Sequence, residues 1–307
     1  MHKNSRADSF PISIEWTAHP KPSNLNSKTS HSIHSLLATF AILRLKLVSG
    51  VRHQIASYIS FLRKSTNQHG VHSPFVYQLV TQVLYDTSHY PAYHLLDSHR
   101  AALLGDHAKI TVTDYGAGSR IFGSQQREVA RIARHAGISK KRQRLLFRLV
   151  RHLKPTTILE LGTSVGLATA ALATAAPKAT IATVEGCANT AKVAEDAFKR
   201  FNLQNIDLHT MVFDDFLTSE ISANIDLAFI DGNHSKEATL RYFEQLLPHC
   251  QNDTVLIFDD IHWSKSMTEA WTRIARHERV SVSIDTFQWG LVFFRKEQQK
   301  EHFTIRV

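Results

Sequence analysis

Apolar residues recur at helical spacing from Ser35 to roughly Tyr85, and the stretch Thr66 to Pro74 interrupts that pattern with glycine and proline. Two helices joined by a loop follow from it. Lys109 to Thr113 alternates as a strand does and runs into Asp114-Tyr-Gly-Ala-Gly-Ser119, a turn. Ser139 to Lys154 sets Leu145, Leu146, Leu149, Val150 and Leu153 on one helical face. Lys140, Lys141, Arg144, Arg148 and Arg151 lie around the other, the pattern of a solvated face over a packed one.

After Pro155 short apolar runs alternate with helical stretches, which is the pattern of a βαβ sheet. Strands are expected at residues 157–161, 180–184, 206–212, 226–230 and 254–258, with helices at 165–175, 189–202, 235–248 and 265–277. Two further strands, Val280 to Ile284 and Leu291 to Arg295, are joined by a connection too short for a helical crossover. The last strand should therefore enter an otherwise parallel sheet antiparallel. The reading is an α/β fold of seven strands, doubly wound and preceded by N-terminal helices. It divides the chain into a disordered lead-in at 1–34, a mainly helical region at 35–138 on the substrate side, and an α/β domain at 139–307.

With 307 residues, 43% of them hydrophobic, the chain can bury a full core. The longest apolar candidate for a membrane span, Leu36 to Val48, is broken by Arg44 and Lys46. The first thirty residues lack the apolar core and cleavage site of a secretory signal. Cys187 and Cys250 have no CxxC partner and suit a reducing compartment, so the expected location is the cytoplasm. The net charge of +9 is unevenly spread: residues 1–155 carry 22 Lys and Arg against 7 Asp and Glu, and residues 156–307 carry 14 against 20. Such a split suggests either two functional regions or a basic arm that meets an anionic partner.

The strand Thr157 to Leu161 runs into Gly162-Thr163-Ser164-Val165-Gly166 and then into an alanine-rich helix. Glycines in such a turn allow sharp bending and close approach of a ligand to the helix N-terminus. The next strand ends at Glu185, about 20 residues on, where a carboxylate can accept both hydroxyls of a ribose. The middle glycine of a dinucleotide loop is missing, so an adenosine ligand other than a dinucleotide is expected. Asp231, followed by His234, ends the fourth strand, and Asp259-Asp260 ends the fifth.

Glu160-Leu-Gly162-Thr-Ser-Val-Gly166 with Glu185 resembles motifs I and II of the class I S-adenosylmethionine-dependent methyltransferases. The antiparallel terminal strand fits the same Rossmann-like family. The resemblance implies cofactor contacts at Glu160, Gly162, Thr163, Ser164, Gly166, Glu185, Asp214 and Asp231. Asp231 and the Asp259-Asp260 pair look like the catechol and caffeoyl-CoA O-methyltransferase branch, over roughly residues 139–295. That likeness implies a divalent metal, Mg²⁺ or a similar hard ion, on Asp231, Asp259 and Asp260. Two departures stand out: Asp260 replaces the branch's Asn, and His234 replaces its catalytic Lys. The segment His69 to Phe75 is also similar to one in a group of bacterial class I methyltransferases of unassigned substrate, extending the likeness to about Tyr58 to Val307.

These residues imply O-methylation of a small hydroxylated acceptor, with His234 and Asp231 as the catalytic pair and His234 taking the proton. Plainer readings stand beside this one. Asp259 and Asp260 could cap the following helix, and His69 and His72 read as loop or lid. Asp114 to Ser119 lacks the acidic strand end that a cofactor loop needs, and it could line the substrate side. Gly162-Thr-Ser164-Val-Gly166 also matches the G-x-S-x-G of serine hydrolases, although in that fold several strands precede the elbow. A nucleic-acid acceptor would use the basic half. A non-enzymatic module would dock it on an anionic membrane. A homodimer is among the assemblies expected.

Overall fold

The apolar positions of the β-strands alternate between two cores, and that alternation organises the whole molecule. In the computed structural model, which describes residues 51–113, 125–221 and 224–307, the strand β3 (Thr157–Leu161) sends Ile158 to one side of the sheet and Leu159 and Leu161 to the other. Strands β6 (Ile225–Ile230) and β7 (Cys250–Phe258) do the same, with Leu227, Phe229, Val255 and Ile257 on the first side and Ala228, Ile230, Leu256 and Phe258 on the second.

The first side is covered by α5 (Lys140–Leu153) and α6 (Leu167–Ala175), with helices from the N-terminal part of the chain packed into the same core. These are α2 (Pro74–Leu79), continued by a π-helical turn at Val80–Leu84, α3 (Ala92–Leu104) and α4 (Val129–His135). The second side is covered by α8 (Phe213–Ser219), α9 (Lys236–Leu246) and α10 (Lys265–Arg276). Residues 51–64 are helical as well and are called α1. Helices on both faces of a mostly parallel sheet give the doubly wound α/β architecture that the sequence implied.

The sheet has eight strands in the order β10-β8-β9-β7-β6-β3-β4-β5, where β4 is Thr180–Val184, β5 is Ile206–His209, β8 is Val282–Asp285, β9 is Gly290–Phe293 and β10 is Glu301–Thr304. As expected, β9 is inserted antiparallel, pairing Phe293 with both Val255 and Val282. The expected count of seven strands is one short. The missed edge strand β10 pairs parallel to β8 and shows a single buried apolar residue, Phe303, so it carries almost no hydrophobic period. Its neighbour in sequence, Ile305, bridges to Thr66, which ties the loop after α1 to the end of the chain.

Two other boundaries differ. The expected strand at 206–212 stops at His209, and α8 follows, a short helix whose apolar positions are too few to announce it. Strand β1 (Lys109–Thr111) pairs antiparallel with β2 (Gln126–Glu128), a partner not foreseen. The break between Thr66 and Pro74 is the expected loop. It holds a single 3₁₀ turn at Gln68–Gly70, and Ser73 caps α2 through the Val76 N–H. His69 and His72 are exposed there.

Described residues from 51 to 307 belong to one compact unit, with no break in packing at the expected 138/139 boundary. The lead-in at 1–34, the first part of the helical stretch from Ser35, and Asp114 to Ser119 lie outside the described residues. Among the described residues no helix is long and apolar enough to cross a membrane.

Candidate active site

At the centre of the sheet, β3 is flanked by β4 on one side and β6 on the other, both parallel to it, so strand order reverses there and a crevice opens at the carboxyl ends of the strands. The turn after β3 is held by its neighbours. The N–H groups of Gly162 and Thr163 both donate to the Val184 carbonyl of β4, at 3.0 and 3.2 Å, and the Asp231 N–H after β6 donates to the Leu161 carbonyl at 2.8 Å.

Two glycines are obligatory in this turn. Gly162 has φ +109° and Gly166 φ +82°, both in the left-handed region. A Cβ on residue 162 would stand 2.1 Å from the Asp231 carbonyl oxygen, and one on residue 166 would stand 2.4 Å from the Phe198 ring. The positive φ values fit the sharp bend expected from the sequence, and the crowding comes from the protein's own β6 loop and from Phe198 on α7 (Ala188–Arg200).

Glu185, at the carboxyl end of β4, is half-buried and held by two backbone donors, Ser164 N–H to Oε2 and Cys187 N–H to Oε1, each at 2.9 Å. Ser164 itself has φ +49°. The strained turn thus presents its N–H to the acid that ends the neighbouring strand.

Glu160 behaves differently. It is fully buried, and its Oε2 accepts from the Thr169 and Thr183 hydroxyls, each at 2.5 Å. Thr163, also buried, bonds Thr183 at 2.6 Å. Burial is the main reason the Glu160 carboxyl is pushed up to about 7, and the Glu185 charge adds to it against the two threonine hydrogen bonds.

Beside this turn, three aspartates gather on the α5 side of the sheet. Asp259, at the end of β7, is buried, and both its oxygens accept from Nη1 of Arg142, at 2.7 and 3.0 Å. The Asp260 N–H also donates to Asp259 Oδ1, at 2.8 Å, from a residue with φ +52°. Burial, then the charges of Asp259 and Asp260, hold the Asp231 carboxyl well above the usual range. Burial opposes the Arg142 charge, but Asp259, Asp231 and Asp260 outweigh it and hold the guanidinium above its ordinary value.

His234 stands at the mouth of this cluster, half-buried, its Nε2 3.7 Å from Asp231 Oδ1. That separation is beyond hydrogen-bond range, so the imidazole is not committed to the aspartate.

Residues 159–261 match the family model of a methyltransferase domain. The class I fold is shown by solved structures. A Podospora anserina methyltransferase, PaMTH1, bound to S-adenosylhomocysteine, superposes with a TM-score of 0.52 at 16% identity, covering 68% of this chain and 91% of that one. The cofactor-bound protein Rv0187 from MTB superposes with a TM-score of 0.50 at 18% identity, covering 69% and 94%. Residues 159–261 are thus similar to a methyltransferase domain, on a fold that this chain shares with both solved structures. No curated protein matches the sequence.

Besides Asp259 and Asp260, the residues named from sequence fall into three groups. Gly162, Ser164, Gly166, Glu185, Asp231 and His234 are brought together at the carboxyl edge. Glu160 and Thr163 lie beneath that edge, their side chains buried and bonded to Thr169 and Thr183. Asp214 stands apart from both. It sits on the first turn of α8, and both its oxygens are taken by Arg241 of α9 at 2.6 and 2.8 Å.

The implied metal does not fit the donors present. Mg²⁺ takes oxygens at about 2.0–2.1 Å in octahedral geometry, whereas the Asp259 oxygens face Arg142, whose guanidinium fills that space. Among the described residues no group of three or more His, Cys, Asp and Glu is arranged to hold a metal ion.

Arg142 is the member of this cluster not anticipated from the sequence. A signal was there: Arg142 lies four before Leu146 and seven before Leu149, in register with the apolar stripe rather than with the solvated face.

Proposed function

We propose that this chain methylates a hydroxyl oxygen of a small molecule, with S-adenosylmethionine as donor. The observation that carries the proposal is the placement of His234 beside Asp231 at the end of β6, next to the turn 162–166 and to Glu185 at the ends of β3 and β4. Three consecutive strands of the switch point thus contribute one edge. Glu185 would hold the ribose hydroxyls of the donor, and the Ser164 to Gly166 turn would seat its amino-acid end. The bound donor supplies a sulfonium-activated methyl group.

What this chain must add is alignment of the acceptor oxygen and removal of its proton. Histidine is the side chain that most often serves as a general base, and His234 is the half-buried imidazole at that mouth. No step is assigned to a metal, since the aspartate cluster is closed by Arg142.

A small acceptor is favoured over nucleic acid because the basic residues of α5 are turned to internal partners. Arg142 binds Asp259, Arg144 and Lys140 bind Asp97, and Arg148 donates to the Val83 carbonyl. Free thiols at Cys187 and Cys250 fit a reducing compartment such as the cytoplasm.

Calorimetric titration with S-adenosylhomocysteine tests the reading. Saturable binding is expected, weakened roughly 10–100-fold in Glu185→Ala, the equivalent of losing hydrogen bonds to a charged group. Absence of binding by the intact protein would overturn it and return the Ser164 hydrolase reading to the front.

A further inference from the structure

The aspartate cluster at the ends of β6 and β7 needs positive charge, and two sources could supply it. One is a divalent cation taken from solution. The other is already built in. Arg142 projects from the first turn of α5, where the Ser139 hydroxyl caps the helix through the Arg142 N–H at 3.3 Å. The next residue, Gln143, is buried and donates to the Leu167 carbonyl at 2.6 Å, while its Oε1 accepts two N–H groups of Arg100 at 3.1 and 2.9 Å. Leu167 opens α6 directly after Gly166. The first turn of α5 is therefore fastened to the helix that follows the glycine turn, and Arg142 is aimed from a fixed base.

Its guanidinium reaches Asp259 with Nη1 alone, at 2.7 and 3.0 Å. Nε is buried with no partner, and the side chain stays 22% exposed. A guanidinium cannot be titrated away in a protein and does not exchange with solvent, unlike a bound ion. Charge for charge, it occupies the position that a hard cation would need in order to reach the Asp259 oxygens.

We propose that Arg142 takes the place of a divalent cation in this active site, so that methyl transfer by this chain runs without one. The proposal rests on the methyltransferase reading and adds the identity of the positive group beside the acceptor. It also gives Asp260 a consequence: the second aspartate of the pair strengthens the negative field around Arg142 rather than completing an ion's ligand shell.

The test is Mn²⁺ titration followed by electron paramagnetic resonance, on the full-length wild-type protein saturated with S-adenosylhomocysteine and on Arg142→Ala. The wild type should leave Mn²⁺ free, and Arg142→Ala should bind it roughly tenfold or more tighter, because removing one fixed charge exposes the aspartates. Should Arg142→Ala fail to fold, Arg142→Gln, which keeps neutral donors near Asp259, carries the same expectation. Stoichiometric Mn²⁺ binding by the wild type that disappears in Asp231→Asn would overturn the proposal. So would a folded Arg142→Ala that still ignores Mn²⁺, since the aspartates would then not be a cation's place at all. Saturation with S-adenosylhomocysteine is read separately by calorimetry, so failure of the methyltransferase reading shows as lost cofactor binding, whatever Mn²⁺ does.

Discussion

Gly162 and Asp231 are locked together across the switch point: the Asp231 N–H bonds the Leu161 carbonyl, and the Asp231 carbonyl fills the space where a Cβ of residue 162 would be, 2.1 Å away. The loop carrying Asp231 and His234 is thus seated on the glycine turn that follows β3.

Gly162→Ala should therefore lower stability and displace the Asp231–His234 loop together. A non-glycine residue at φ +109° and a clash with backbone that cannot rotate away combine to a loss of about 2–4 kcal/mol. Urea unfolding checks the loss. Gly166→Ala should be milder, because its obstacle is the Phe198 ring rather than a carbonyl. Equal losses at both positions would count against this account.

Glu160 predicts a pH dependence. Its carboxyl is raised from 4.5 to about 7 chiefly by burial, so between those values the folded chain keeps a proton that the unfolded chain has released. Its contribution to stability is full below pH 4.5 and is lost as pH rises through 7. Glu160→Gln, neutral throughout, should flatten the decline. The wild type should lose about 3 kcal/mol more than the variant between pH 5 and pH 8 in urea titrations. Parallel curves would show that Glu160 is charged in the native state.

His99 gives the opposite sign. It is fully buried on α3, near Phe198 and Phe201, with neither ring nitrogen partnered. Burial, helped by Arg100, lowers its pKa from 6.5 to about 4. Here the unfolded chain binds the proton first, so this contribution is present above pH 6.5 and is lost as pH falls toward 4. His99→Phe should raise stability by about 1–3 kcal/mol, since two unpaired polar atoms leave the core. It should also raise the melting temperature more at pH 5 than at pH 7.5. A variant less stable at both would show that His99 has a partner in solution.

Asp214 should be dispensable for the cofactor. Its carboxylate is held by Arg241 and lies on the exposed side of α8, so Asp214→Ala should leave S-adenosylhomocysteine affinity within about twofold. The lost ion pair should lower stability by no more than about 1 kcal/mol. Calorimetry and thermal unfolding read the two effects separately, and a tenfold loss of affinity would restore Asp214 to the cofactor site.

Much of this was legible along the chain. Strand parity and helix period are local, so the alternation of Ile158 with Leu159, the tight connection before Leu291 and the left-handed glycines could be read without a partner. The edge strand Glu301–Thr304 could not, because one apolar residue makes no period.

What the sequence determined by itself is therefore most of the order of strands and helices after Thr157, the doubly wound class, and the turn from Gly162 to Gly166 with Glu185 one strand on. What only the tertiary structure decided is what each charge faces. Glu160 and Glu185 look alike in sequence, yet one is sealed beneath α6 and the other is pinned at the cleft. Asp214 is taken by Arg241, 27 residues away, and Asp259 by Arg142, 117 residues away. Such pairs are set by how helices dock on the sheet, and charge attraction acts through space without regard to separation along the chain.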